Sequence, residues 1–256
     1  SMFPMCVLFC FMVVHGICSQ NELEKGITNY NQRLEGSVKS SAKPGPITKA
    51  INNFQYALKN TATETDAALY LLKSYYFRGK YVHKDKEKQK FDFSKGKELG
   101  EKYVKKYPDS VPFQFWYLVN LGSWSEVYGI ITAAREGVAE IMKEHSEIII
   151  SLDPEYENGG GYFMLGAVHF KSPYIPFLLS WPDNDDAIKY LKKALNIGDA
   201  TPNQMVYLAQ AMYKDGQKSQ AIEMLKEVAN MQPSVDEIVR DWEQIELAEQ
   251  LLSEYR

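Results

Sequence analysis

Cysteine is confined to the start of the chain, where Cys6, Cys10 and Cys18 all fall within the first eighteen residues. A folded part beginning near Gln20 therefore has no disulfide framework, no Cys-based zinc site and no thiol nucleophile. Cationic clustering is also missing. The formal net charge is -4 and no run of Lys and Arg dominates, which argues against a nucleic-acid binder working through a basic face. The chain contains no GxSxG, Walker loop, GxGxxG or HExxH pattern. Its histidines, His15, His83, His145 and His169, are too scattered to suggest a metal site. No cofactor is expected, and no catalytic set presents itself. Strand-like alternation is scarce, with only short β-branched clusters such as IIIS near 150.

What is present is an ordinary globular composition, 45% hydrophobic and 24% charged, over a length that suits one large domain or two small ones. Residues 2–18 are almost wholly apolar and precede a polar stretch, SQNELEKG. As a helix they would rise about 25 Å, short of the roughly 30 Å hydrocarbon core, so a secretory leader cleaved after Ser19 is the preferred reading. The usual n-region cation is missing, since the first is Lys25, and an uncleaved anchor or an apolar helix of the fold are the alternatives. Lipidation at Cys18 is disfavoured because Ile17 is not small. The expected organisation is a leader over 1–19, a linker and first helix over 20–45, and a helical-repeat domain over 46–256.

Helical periodicity begins after SSAKPGP and scarcely stops. Ala50, Phe54 and Ala57 share one face, and Leu71, Leu72 and Tyr75 follow in AALYLLKSYYFRGKY. The charged segment HKDKEKQKFDF, 83–93, reads as a solvated loop or fraying helix end. FQFWYLVNLGSW opens a long helical run to about Ile150, ended by SLDP. Between Met205 and Pro233 the residues Leu208, Ala209, Gly216, Ala221, Leu225 and Pro233 occupy positions 7, 8, 15, 20, 24 and 32 of a 34-residue unit, the tetratricopeptide spacing. Small residues at 8 and 20 let two helices approach, Gly at 15 permits the turn, and Pro at 32 stops the second helix. Leu165, Gly166, Ala187, Leu191 and Ala194 form an interrupted version of the same unit. The fold expected is all-α: a tetratricopeptide-like α-α superhelix of about four to five helix pairs, with the final helix, VDEIVRDWEQIELAEQLLSEY, capping the stack.

The interruption is SPYIPFLLSWPDN, 172–184. Pro173 and Pro176 forbid a continuous helix there, and its apolar side chains cannot all face water cheaply. It is expected to fold back over the stack as a lid or wall. Asp183, Asp185 and Asp186 read as N-cap and first-turn anions of the next helix, and Gly159–Gly161 as a turn into a helix. The aromatics crowd two stretches, and most belong in the core. Those proposed to line a ligand groove are Trp116, Trp124, Tyr128, Tyr162, Tyr174, Phe177 and Trp181, with Asn120 and Arg135 as polar residues to seek inside it. His169, at position 11 of the interrupted unit, is preferred as a packed imidazole, yet remains a candidate beside that groove.

FWYLVNLGSWSEVYGI, SLDPEYENGGGYFMLGAVHFKSPYIPF and NDDAIKYLKKALNIG resemble the T-component (TatT) family of tripartite ATP-independent periplasmic (TRAP) transporters. The resemblance is most specific in Trp116–Trp124, in the GGGYxxLG segment at 159–166 and in Lys171–Pro173. It implies a periplasmic or secreted, non-enzymatic accessory protein, in some relatives membrane-attached. It implies as partners the solute-binding component and a small hydrophobic solute in an internal cleft; self-association is a further possibility, and the charge balance leaves nucleic acid out. The alternative is a scaffold docking a peptide without a small ligand, similar to the regulators of microtubule dynamics, which share a related WxLxxLG core.

Overall fold

The computed structural model describes residues 19–175 and 179–255; all of the expected leader, 1–19, except Ser19, and Phe177 of the insertion lie outside the described residues. Helix α1 covers 19–31 and leads through a short 3-10 turn, Gln32–Leu34, and a strap closed by a Val38–Ser41 bridge into α2, Pro44–Ala57. Then follow α3 (Glu64–Phe77) with a π-helical turn at Arg78–Val82, α4 (Lys86–Lys106), α5 (Val111–Tyr128), short α6 (Ile130–Arg135) and α7 (Val138–Leu152). The chain continues through α8 (Tyr156–Lys171), α9 (Asn184–Leu195), α10 (Pro202–Lys214), α11 (Lys218–Ala229) and α12 (Ile238–Glu254). Among the described residues there is no strand, and no described helix is long and apolar enough to cross a membrane.

Consecutive helices pack antiparallel into pairs, α3 with α4, α5 with α7, α8 with α9 and α10 with α11, and α12 covers the last pair. The small-residue spacing acts as the sequence implies. Ala209 and Ala221 are fully buried, and Gly216 takes the turn with φ +87°. A Cβ at Gly166 would meet Leu191 Cγ at 2.7 Å and the Ala187 carbonyl oxygen at 3.1 Å, so α8 and α9 touch there through backbone. Helix α10 opens with a capping box in which Thr201 and Gln204 satisfy each other's backbone N–H groups. Helix α11 ends at Ala229, four residues before Pro233, so the proline follows the stop rather than causing it.

Two stretches differ from their sequence reading. HKDKEKQKFDF is helical from Lys86 onward: Asp85 caps α4 by accepting from the Lys88 N–H at 3.0 Å, and Asp92 and Phe93 point into the core. The basic residues of that segment occupy the exposed face and disguise its amphipathicity. The run to Ile150 is broken twice, because Gly129 (φ +89°) and Gly137 (φ +66°) take backbone conformations that end α5 and start α7 with the short α6 between them.

Candidate functional site

The second helix of one pair and the first of the next share a wall, so alternate helices face the inside of the superhelix. These are α3, α5, α8, α10 and α12. Their inward residues recur every three or four positions, as Val119, Ser123 and Glu126 do on α5 and Asn203, Tyr207 and Gln210 on α10. Together they line a cavity of about 1020 Å³.

On one side of the cavity the two ends of the superhelix approach each other, while the cavity stays partly open to solvent. Val239 of α12 is buried in the N-terminal core with Ile51, Leu71 and Tyr81. Beside it Lys80 Nζ lies 3.0 Å from Glu243 Oε1 and 3.8 Å from Glu126 Oε2. Burial alone would lower the Lys80 ammonium pKa, but Glu243, Tyr76 and Glu126 outweigh it and raise it well above the usual lysine range. Ser40 Oγ donates to Glu246 at 2.5 Å and Lys39 approaches the same carboxylate at 3.4 Å, so the strap after α1 holds α12 as well. The π-helical turn carries Lys80 and Tyr81 to this seam, and the Ala42 N–H donates to the Tyr81 carbonyl at 2.9 Å.

Of the expected groove residues, Trp116 and Arg135 line the cavity and the other described ones do not. Asn120 is fully buried in the wall: its Nδ2 donates to the Leu72 and Trp116 carbonyls at 3.1 and 2.9 Å. Its side chain occupies the space that a Cβ at Gly96 would need, which locks α3, α4 and α5 together. Trp124 stacks on Tyr128 at 4.5 Å, with Lys97 over the indole at 4.3 Å, on the α4 side of α5. Tyr162 lies beneath Lys193 of α9. Arg135 borders the cavity from an exposed position on α6.

The insertion after α8 folds back. Ile175 and Leu179 exchange two backbone hydrogen bonds of 2.7 Å, Leu179 is buried, and Pro173 and Leu179 border the cavity. Tyr174, in contrast, is 65% exposed. Trp181 packs edge-on against His169 at 4.9 Å, and His169 Nδ1 accepts from the Asp183 N–H at 3.2 Å. The imidazole thus pins the end of the insertion to α8; burial, only partly offset by Asp186, lowers its pKa. Asp183 caps α9 through the N–H groups of Asp185 and Asp186. Glu157, Asn158 and Gly159 turn left-handed into α8, and the next two glycines are packing positions, since a Cβ at Gly160 would meet the Phe115 ring at 2.6 Å.

The lining that sequence reasoning missed is the most polar part. Tyr76, Lys73 and Lys80 come from α3 and its extension, Tyr207 from α10, and Arg240 and Glu243 from α12. The paired tyrosines at 75 and 76 carried a signal, but only the packing tells that Tyr76 faces inward while Tyr75 enters the N-terminal core. Tyr76 and Tyr81 share a hydroxyl contact of 3.2 Å, and burial raises the pKa of both. Burial lowers that of Lys73.

This architecture is similar to the crystal structure of a thermophilic TPR protein from Thermus thermophilus, with a TM-score of 0.58 at 17% identity, covering 90% of this chain and 99% of that one. No protein-family model and no curated protein sequence matches the chain. The fold is thus an all-α, tetratricopeptide-like superhelix whose last helix reaches back to its N-terminal part.

Proposed function

We propose that this is a non-catalytic binding protein that holds a small, largely apolar organic molecule inside the superhelix, and that it serves as an accessory of a TRAP-type solute transport system. One observation carries the ligand part. An open repeat stack presents its concave face to a partner segment, whereas here α12 reaches toward the N-terminal helices through Val239 and the Lys80–Glu243 pair and narrows the groove to a partly open cavity of about 1020 Å³. Small-ligand sites typically measure about 300 to 1,000 Å³ and combine apolar walls with a few polar groups. The exported location, the transporter and its solute-binding component rest on the sequence resemblance at Trp116–Trp124, 159–166 and Lys171–Pro173.

Nile red, a neutral apolar dye, is expected to bind the full chain one to one, and Ala167→Trp, which fills the cavity from α8, is expected to abolish uptake without changing helicity. Uptake that survives Ala167→Trp would overturn the internal site. Sedimentation of the chain with the solute-binding subunit of its host's transporter tests the second part independently, and absence of a complex would remove the transporter assignment.

A further inference from the structure

The polar groups of the cavity are not spread evenly. Lys73 Nζ lies 5.4 Å from the centre of the Trp116 ring, and Trp116 in turn lies 6.1 Å from Tyr76. Tyr76 and Tyr81 both feel the charge of Arg240 across the seam. Lys73 and Trp116 thus stand together on the wall formed by α3 and α5, and Arg240 lines the same cavity from α12. Toward the insertion Phe163, Met164 and Leu179 line it, together with Lys171 and Ser172 at the end of α8.

Of Lys73, Trp116 and Arg240, two carry a buried N–H without a hydrogen bond of normal geometry, and the third forms no salt bridge with a described carboxylate. The Trp116 Nε1–H is buried without a hydrogen bond of normal geometry; burial and Glu157 push the nearby Tyr156 hydroxyl up to about 12, and the indole offsets this only in part. Arg240 Nε is buried and unpartnered, its neighbours Glu237 and Asp241 standing at 3.9 and 3.8 Å. Lys73 forms no salt bridge with a described carboxylate. The acidic groups that face it are Glu157, which is exposed, and Glu237, which lies toward Arg240, while Arg33 adds a second cation. Among the described lining residues six are cationic and five anionic, an excess of one positive charge inside a chain of net charge -4. Buried donors without acceptors are costly, and a ligand oxyanion would satisfy several at once.

Resting on the ligand-binding reading above, we infer that the cavity takes a single-headed anionic amphiphile. Its oxyanion sits among Lys73, Arg240 and the Trp116 N–H, and its tail lies along Phe163 and Met164. Carboxylate and phosphate monoester heads share this chemistry.

Calorimetry of the full chain with decanoate, decyl phosphate and decanol, each below its micellar concentration, tests this. At least one anion is expected to bind roughly tenfold or more tightly than decanol, as a charge-assisted hydrogen bond allows. Comparison of the two anions identifies the head group. Lys73→Met, which keeps the stem packed on Trp116, is expected to bring anion and alcohol within about twofold, and Lys73→Arg to restore most of the difference. Decanol binding as well as both anions, or an anion preference intact in Lys73→Met, would overturn the anionic head while leaving an apolar ligand site standing. Binding of none of the three would overturn both.

Discussion

The α10–α11 pair and the α3–α4 pair are the same supersecondary unit held by different means. In α10–α11 the contact is made by small and aliphatic residues: Ala209, Ala221, Val206, Leu208 and Leu225 are all essentially inaccessible. In α3–α4 a fully buried carboxylate lies at the joint. Asp92 accepts from Arg78 Nε and Nη2 at 2.9 and 2.6 Å, and His83 Nε2 stands 3.3 Å away. A Cβ at Gly79 would collide with the Phe93 ring at 2.6 Å, so the widened π turn and α4 are fitted to each other. The first pair only has to stack. The second must also carry Lys80 and Tyr81 out to α12, and a turn loosened from regular helix requires side-chain bonds to hold it.

The largest expected effect breaks the second pair. Asp92→Ala leaves the Arg78 guanidinium, 14% exposed, without its counter-ion, and is expected to cost about 3 to 5 kcal/mol in urea unfolding. A loss below about 1 kcal/mol would mean that apolar packing holds both pairs alike. In the first pair, Ala221→Leu should cost about 1 to 3 kcal/mol through overpacking against α10. An unchanged midpoint there would show that the small-residue spacing is not what fixes helix approach.

The smallest effect separates the pairs by pH. Burial lowers the His83 pKa, with Asp92 opposing, so the unfolded chain takes up its proton near the ordinary histidine value of 6.5 while the folded chain does so only at lower pH. Falling pH through that window therefore favours unfolding. The α10–α11 pair contains no histidine, so His83→Gln should flatten the fall in thermal midpoint between about pH 7.5 and 5.5, while His145 and His169, whose pKa values burial also lowers, keep part of it. Equal slopes in the two proteins would show that the α3–α4 joint does not sense protonation.

The α10–α11 unit could be read from sequence because its rule is local in kind: small residues at fixed spacing and a glycine at the turn. The α3–α4 unit could not, because Asp92 and Phe93 sit among lysines that dominate the pattern of that segment. The candidate site was legible only through Trp116 and Arg135. Helix α5 is buried on nearly every side, including at Phe113, Tyr117, Leu121 and Trp124, so its aromatics show no amphipathic direction from which a groove-facing side could be chosen. Fully buried helices lose the contrast that sequence reading depends on.

The order of residues alone dictates the helical pairs, their close approach at Gly166, Ala209 and Ala221, the cap at Asp183 and the departure from regular repeats after Lys171. Those features follow from propensity, spacing and the stereochemistry of glycine and proline, which act over a few turns of chain. The approach of the two ends belongs to the assembled superhelix. Glu243 and Lys80 are far apart in the chain, and Val239 finds its place beside Leu71 only after each pair has added its small rotation to the last. That sum over the whole stack narrows the groove to a cavity and brings Lys73, Trp116 and Arg240 into its lining.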